Sequence, residues 1–214
     1  MGNLFNPDAP LMQGLSKIAD LIVLNLFTLV LCLPIVTAGA AITALYDSVW
    51  KVIQDEGNAY RAFFRAFKSN FKQATLLWLM VLAAGALLVV CLLFYVSNEM
   101  KILVVVSAAL VALWAITTAW IFPLQSRFEN KVMTTVKNAA LCGLGYLPRS
   151  LVMAVLNLLP WGIFLLNTEL WLRISFIWIV CWMGLTAYLN LMLIRKPFKK
   201  LMGIEEETAA KEEA

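Results

Sequence analysis

The chain has 214 residues, of which 62% are hydrophobic and 14% charged, whereas soluble domains have about 45–50% and about 25%. A water-soluble fold of this size cannot bury so much apolar surface in one core, so the composition excludes an ordinary soluble domain. The lack of histidine removes the commonest general base, and the net charge of +4 matters less than where the basic residues lie.

Five stretches with few charges are long enough to cross a bilayer, which takes about 20 residues each. They are residues 18–38, 75–97, 102–124, 151–167 and 174–194. The sequence therefore predicts an all-α integral membrane protein of about five transmembrane helices, with a single transmembrane domain over residues 1–200. Residues 201–214 are acidic and are expected to form a disordered cytoplasmic tail.

The distribution of Lys and Arg orients the predicted helices. Fourteen basic residues lie in the loop between spans one and two, the loop between spans three and four, and the tail after span five. The other side carries Lys17, Lys101 and Arg173. Because cytoplasmic loops are enriched in Lys and Arg, we expect the N-terminus outside and the C-terminus in the cytoplasm. A four-span arrangement stays open, in which the first stretch enters and returns around Pro34 and leaves the N-terminus inside.

The loop before span two combines aromatic and basic residues at helical spacing. The aromatic residues are Tyr60, Phe63, Phe64, Phe67 and Phe71, and the basic residues are Arg61, Arg65, Lys68 and Lys72. A helix with rings beside cations suits the membrane interface, where the cations meet anionic lipids of the inner leaflet. Docking to a partner subunit is the competing interpretation, and nucleic acid is not expected as a partner because no other nucleic-acid motif accompanies the segment.

A second amphipathic cytoplasmic helix is predicted between spans three and four. Arg127-Phe128-Glu129-Asn130-Lys131 opens a helical stretch that reaches Leu144, and Gly143, Gly145 and Pro148 break it just before span four. The first and second loops therefore share a plan, in which a span ends near a proline and a basic amphipathic segment leads into the next span.

Four polar residues inside the predicted spans are candidates for an intramembrane site: Asp20, Asn25, Asn157 and Asn190. Charged groups within membranes are functional candidates, although Asp20 lies close enough to a span end to meet water or Lys17. Asparagines more often link helices by hydrogen bonds than line a ligand site. A saccharide site formed by Trp161, Trp171 and Trp178 is a minor further hypothesis.

Nothing in the sequence predicts an enzyme, a metal site or a cofactor. It contains no H-E-x-x-H, G-x-S-x-G or Walker motif, and no pair of aspartates within a span. Cys32, Cys91, Cys142 and Cys181 are far apart and form no C-x-x-C pair, so we expect them to act as small apolar residues.

Several motifs along the chain resemble the bacterial YesL family. In the first third they are Asn6-Pro7-Asp8, Leu33-Pro34-Ile35-Val36-Thr37-Ala38-Gly39-Ala40, Thr43-Ala44-Leu45-Tyr46, Phe63-Phe64-Arg65-Ala66-Phe67-Lys68 and Asn70-Phe71-Lys72-Gln73-Ala74-Thr75. Further along they are Pro123-Leu124, Arg127-Phe128-Glu129-Asn130, Val136-Lys137-Asn138-Ala139 and Leu147-Pro148-Arg149. The likeness weakens over the acidic tail.

The resemblance implies a multi-pass protein of the bacterial plasma membrane, in a setting near carbohydrate uptake. The resemblance does not identify any catalytic residues, because the biochemical activity of that family is not established. The sequence thus leads to a non-enzymatic membrane component that assists or regulates a carbohydrate ABC-type transport system, with its permease subunits as partners. The alternative is a small transporter or channel that acts alone or as a homo-oligomer.

Overall fold

In the computed structural model, the backbone is described for residues 10–212, and the side chains for residues 12–198 and Gly203. Asn6-Pro7-Asp8 lies outside the described residues. No strand occurs within residues 10–212. The helices are α1 Pro10–Cys32, α2 Ala38–Gln54, α3 Ala59–Ser97, α4 Lys101–Gln125, α5 Val132–Gly145, α6 Leu147–Leu166, α7 Thr168–Arg173, α8 Ser175–Ile177 and α9 Met183–Glu212.

The prediction of an all-α membrane protein is confirmed. Among the described residues, five helical segments are long and apolar enough to cross a bilayer. They are Met12–Cys32, Ala59–Ser97, Lys101–Gln125, Leu147–Leu166 and Ser175–Phe198. Each carries many exposed apolar side chains that water would not tolerate as a continuous surface.

The first predicted span ends earlier than expected. Helix α1 stops at Cys32, since Pro34 lacks a backbone N–H and forces the residue before it out of the helical conformation. A short 3₁₀ turn follows over Ile35–Thr37, and the Thr37 hydroxyl donates to the carbonyls of Leu31 and Pro34. The chain then reverses into α2, so residues 33–38 are a turn rather than the end of a span.

Helix α2 lies in the centre of the fold and is buried along most of its length. Gly39 allows α3 to come very close, because a Cβ there would lie 2.3 Å from the Ala74 carbonyl oxygen and 2.5 Å from Trp78 Cβ. At its other end, Asp55 and Gly57 adopt positive φ values of 56° and 62° and form a tight turn into α3. Helices α1 and α2 are therefore the two arms of a hairpin.

Helix α3 joins two segments that the sequence analysis treats separately. It begins at the Asn58 cap, whose side chain accepts the Arg61 N–H at 3.0 Å, and continues without a break to Ser97. The aromatic and basic segment is thus the first part of the helix that contains the second predicted span. Its 39 residues measure about 58 Å, more than the roughly 40–45 Å of a whole bilayer.

The remaining helices pack beside α3 in chain order. Trp114 on α4 donates its indole N–H to the Val81 carbonyl at 3.1 Å, and Trp120 donates to the Ser150 hydroxyl on α6 at 2.8 Å. The separate helix expected between spans three and four is present as α5. The fifth predicted span begins with α8 and a π-helical turn, Trp178–Trp182, before α9.

The chain after residue 200 differs from the disordered tail expected there. The backbone of α9 continues as a helix to Glu212. Residues 205–212 are mainly Glu, Ala and Lys, which have high intrinsic helix propensity, so acidic composition alone does not predict disorder.

Candidate functional site

The open end of the α1–α2 hairpin forms a polar cavity of about 580 Å³. Lys17 on α1 forms an ion pair with Asp55 at 2.8 Å, and Tyr60 at the start of α3 donates its hydroxyl to Asp20. Lys51 and Glu56 also line the cavity. These contacts place the start of α1 beside the turn between α2 and α3. Lys17, which the sequence analysis assigns to the side opposite to that loop, thus contacts a residue of the loop itself.

Asp20 belongs to this cavity rather than to the middle of a helix bundle. Its partner is a phenol, which supplies a hydrogen bond without compensating the charge. The cavity brings Asp20, Asp55 and Glu56 together with Lys17 and Lys51, so both signs of charge are present. Among the described residues, no group of acidic residues and cysteines is arranged to hold a metal ion.

Asn25, a second predicted polar site, links the beginning and the end of the fold. It is fully buried; its side-chain amide donates to the Ile179 carbonyl at 2.7 Å and accepts the Gly184 N–H at 3.0 Å. Ile179 lies within the π-helical turn and Gly184 lies two residues beyond its end, so the Asn25 side chain bonds to both sides of the junction between that turn and α9.

Asn157 and Asn190 meet at a second, partly buried contact, where α6 and α9 approach α2. Asn190 donates to the Tyr46 hydroxyl at 2.9 Å and to the Asn157 side-chain oxygen at 3.2 Å. Asn157, Asn190 and Tyr46 thus connect three helices. The four predicted polar residues form three separate sites and do not combine into one.

The aromatic and basic residues of α3 fall into two groups. Phe63 is fully buried, and the Phe27 ring on α1 lies 6.0 Å from it and 5.2 Å from Phe64, measured between ring centroids. The residues that stay exposed are Arg61, Phe64, Arg65, Lys68, Phe71 and Lys72. Tyr60 and Phe67 are partly buried beside the core. The aromatic stripe therefore serves helix packing on one side, and only its outer edge is free to meet lipid or a partner.

Residues 21–92 match the family described as "Protein of unknown function, DUF624". The DUF624 match begins in α1, includes all of α2 and ends within α3, so it covers the hairpin and the aromatic and basic segment. It leaves out α4 to α9, which is more than half of the chain. No curated protein and no solved structure matches the chain.

One partly buried charged pair was not predicted from the sequence. Arg127, just after α4, lies 3.8 Å from Asp47 on α2, and its guanidinium carbon lies 4.8 Å from the centre of the Trp50 ring. Burial raises the pKa of Asp47 and lowers the pKa of Arg127, and in each case the opposite charge of the partner acts in the other direction. Desolvation therefore outweighs the attraction within this pair. Spacing could not reveal it, because the two residues are eighty positions apart.

An apolar groove of about 460 Å³ runs between α4 and α6 on the outer surface. Small residues, including Ala112, Ala115, Ala154 and Gly162, form much of its lining. Small residues on adjoining helices allow another apolar chain to approach closely in a membrane.

The structure does not bring the three tryptophans of the saccharide hypothesis into ring contact. Trp171 packs on Phe164 and Trp178 on Trp182, while Trp161 is largely exposed. Cys32, Cys91, Cys142 and Cys181 are all free thiols.

Proposed function

We propose that this protein is a non-enzymatic membrane component that acts by packing beside other membrane subunits. The observation that carries the proposal is the set of hydrogen bonds made by the buried and partly buried asparagines of the bundle. Asn25, Asn157 and Asn190 bond to other helices, and neither the polar cavity nor the apolar groove includes any of them. The polar groups thus hold the bundle together, while a groove with small residues faces outward for a neighbour.

The proposed link to carbohydrate transport rests on the resemblance to the YesL family. The motifs shared with the YesL family suggest a bacterial plasma-membrane protein that is accessory or regulatory to a sugar ABC-type transport system. The DUF624 match is compatible with this, but its description assigns no function. The chemistry of the described residues does not point to a sugar.

We also propose that both termini lie in the cytoplasm. The contact between Lys17 and Asp55 supports this, because it joins the start of α1 to the basic loop before α3. Lys17 then joins the fourteen cytoplasmic basic residues and leaves Lys101 and Arg173 outside, which increases the charge asymmetry. This favours the arrangement in which the first stretch enters and returns around Pro34 over the five-span arrangement.

Copurification tests the accessory role. The full-length protein, extracted in mild detergent from its native membrane, should copurify with sugar ABC permease subunits identified by mass spectrometry. A Leu158→Trp variant, which fills the apolar groove, should lose them, whereas Val105→Trp on the exposed surface of α4 outside that groove should retain them. Equal recovery of permease subunits from both variants, or none from the wild type, would contradict the proposal.

A stand-alone transporter or channel is the second candidate. The cavity that contains Asp20 supports it, because an open, charged cavity at a helix end could receive an ion or a polar solute. Purified protein in proteoliposomes, without other subunits, should then give solute flux that Asp20→Asn abolishes. Flux of this kind from a protein that never associates with permease subunits would favour the transporter.

Labelling tests the orientation. Gly14 and Gly203 each have open space where a side chain would be added, so a cysteine at either position should be tolerated. In a background without the four native cysteines, a membrane-impermeant maleimide should label both only after the cells are opened. Labelling of Gly14→Cys in intact cells would support an outside N-terminus instead.

A further inference from the structure

The polar cavity at the open end of the α1–α2 hairpin is bounded by three elements. One face of α1, which carries Gln13, Lys17 and Asp20, forms the first wall. The end of α2 forms the second wall, and residues 57–60, which lead into α3, form the third. The volume of about 580 Å³ lies within the roughly 300–1,000 Å³ of small-molecule sites, so the cavity is large enough for a small ligand.

Two contacts within the chain set the shape of this cavity. The Lys17 ammonium group pairs with Asp55 at 2.8 Å, and the Tyr60 hydroxyl donates to Asp20. The first contact joins α1 to the turn after α2, and the second joins α1 to the start of α3. Because the protein itself holds the walls in place, a ligand does not have to order them when it binds.

The charges that remain in the cavity have both signs. Among the described residues, Lys51 and Glu56 form no ion pair, although both line the cavity. The negative charge of Asp20 is not compensated by its partner, because a phenol is neutral. Ligand sites of this volume are mostly lined by apolar groups, whereas unpaired charges of both signs favour a polar ligand that itself carries both.

Lys51 and the start of α3 form the part of the cavity that suits an anion. The Asn58 side chain accepts the Arg61 N–H at 3.0 Å, whereas the N–H groups of Ala59 and Tyr60 donate to no group among the described residues. The N-terminus of a helix carries a partial positive charge, and the nearby Lys51 adds a full one. Together they suit a carboxylate or a phosphate.

Asp20 and Glu56 form the part of the cavity that suits a cation. They come from α1 and from the turn after α2, so they approach the cavity from two different walls. Acidic side chains exceed basic side chains by one in the lining, and an anionic group alone is therefore not favoured. An ammonium group carries a full charge and three donors, so it can bond to more than one carboxylate.

We infer that this cavity binds a small zwitterion, which carries a primary ammonium group together with a carboxylate or a phosphate. The ammonium group lies at Asp20 and Glu56, and the anionic group lies at Lys51 and the start of α3. This inference goes beyond the proposed function, since it concerns the ligand of one cavity and holds whether or not the protein copurifies with permease subunits or gives solute flux. A free amino acid and phosphoethanolamine share this chemistry, and titration with each distinguishes them.

Isothermal titration of the purified full-length protein, in an uncharged maltoside detergent, tests the inference. The zwitterionic probes are L-serine and phosphoethanolamine. Ethanolamine is the matched cation for both, while 3-hydroxypropionate and ethyl phosphate are the matched anions that lack the amine. At least one zwitterion should bind saturably at one site per chain, and at least about tenfold more tightly than its matched cation and anion, because it gains a second charge-assisted contact. Tighter binding of L-serine identifies the carboxylate, and tighter binding of phosphoethanolamine identifies the phosphate.

Two variants assign the ends of the ligand. Lys51→Gln should remove the advantage of the zwitterion over ethanolamine, and Asp20→Asn should remove its advantage over the matched anion. Lys51 takes part in no ion pair among the described residues, so its replacement keeps the test valid even if Asp20→Asn fails to fold. Lys101→Gln, which removes one positive charge at the start of α4 and outside the cavity, is the matched control and should bind like the wild type.

Three outcomes would overturn the inference. The first is the absence of saturable binding for both zwitterions. The second is ethanolamine or a matched anion that binds as tightly as the zwitterion, which would show that one charged end is enough. The third is an equal loss of affinity in Lys51→Gln and Lys101→Gln, which would mean that overall charge and not this cavity governs binding.

Discussion

Gly184 allows Asn25 to reach across the fold, because the backbone of α9 lies directly against that of α1. A Cβ at Gly184 would lie 2.6 Å from the Leu21 carbonyl oxygen, and the Gly184 N–H is itself bonded to the Asn25 side chain. Backbone atoms cannot move aside as a flexible side chain can. This contact between residues 159 positions apart joins the start of the chain to its last long helix.

Gly184→Ala should therefore destabilise the protein. The added methyl group must push α1 away from α9, at a cost of about 1–3 kcal/mol, typical of overpacking. Thermal unfolding in detergent or nanodiscs should show a lower midpoint. Gly162→Ala on α6 is the matched control, because nothing lies within 4 Å of its added Cβ. A midpoint that falls equally in both variants would mean that close packing at Gly184 is not the cause.

Asn25→Leu should be destabilising for a different reason. The apolar side chain leaves the Ile179 carbonyl and the Gly184 N–H without the partner that the amide provides. Unsatisfied buried groups cost about 1–3 kcal/mol, and membrane hydrogen bonds lie at the lower end. Asn157→Leu, which removes one longer bond at 3.2 Å, should have the smaller effect on the unfolding midpoint. The reverse order would contradict the role given to Asn25.

Asp47→Asn should destabilise the protein, because it removes the partner of Arg127 in a partly buried ion pair. The Arg127 guanidinium would keep its charge without a counter-ion, and we expect a loss of about 2 kcal/mol, below the 3–5 kcal/mol of a fully buried pair. Adding Arg127→Met should recover part of the loss, since it removes the isolated charge. Lys17→Gln, at the more exposed pair with Asp55, should cost less than about 1 kcal/mol. Chemical unfolding of the wild type, of the single variants Asp47→Asn, Arg127→Met and Lys17→Gln, and of the double variant provides the comparison, and additive losses in the double variant would argue against coupling.

Replacing Arg61, Arg65, Lys68 and Lys72 with Gln should remove the preference for anionic lipid. The wild type should unfold at a higher temperature in nanodiscs of phosphatidylglycerol than in nanodiscs of phosphatidylcholine, because each cation near the surface contributes about 1 kcal/mol. The variant should show little difference between the two lipids. Lys101→Gln with Arg173→Gln, which removes two cations from loops predicted to lie on the other side, is the control and should retain the wild-type preference.

Much of the helical architecture could be predicted from local pattern. Spans two, three and four lie within or nearly coincide with α3, α4 and α6, since a charge-free run of spanning length has few alternatives to a helix. A helix after span three was also predicted, but from Arg127 onward, whereas α5 begins at Val132, after the basic and aromatic residues on which the prediction rested. The sequence also indicates that the chain could turn back at Pro34. The bounds predicted for span one, residues 18–38, nevertheless include that proline.

The sequence identified individual residues of the candidate site but not the contacts between them. Asp20, Asn25 and Asn190 were singled out because polar groups within apolar stretches are unusual. Their partners were not predicted, because Tyr60, Gly184 and Tyr46 lie far away in sequence. Phe63 and Phe64 adjoin in one aromatic stripe, yet one is buried against α1 and the other is half-exposed.

The sequence by itself determined that this protein is helical and belongs in a membrane, and it determined which loops are basic. These properties depend on composition and on periodicity within single helices, which neighbouring residues set. Only the tertiary structure decided that α1 and α2 form a hairpin, that Lys17 lies beside Asp55, and that α9 packs against both arms of the hairpin. Those features depend on which helix surfaces pack together. A single residue that allows two backbones to come close, such as Gly184, can determine that packing, and no periodic pattern in the neighbouring sequence reveals it.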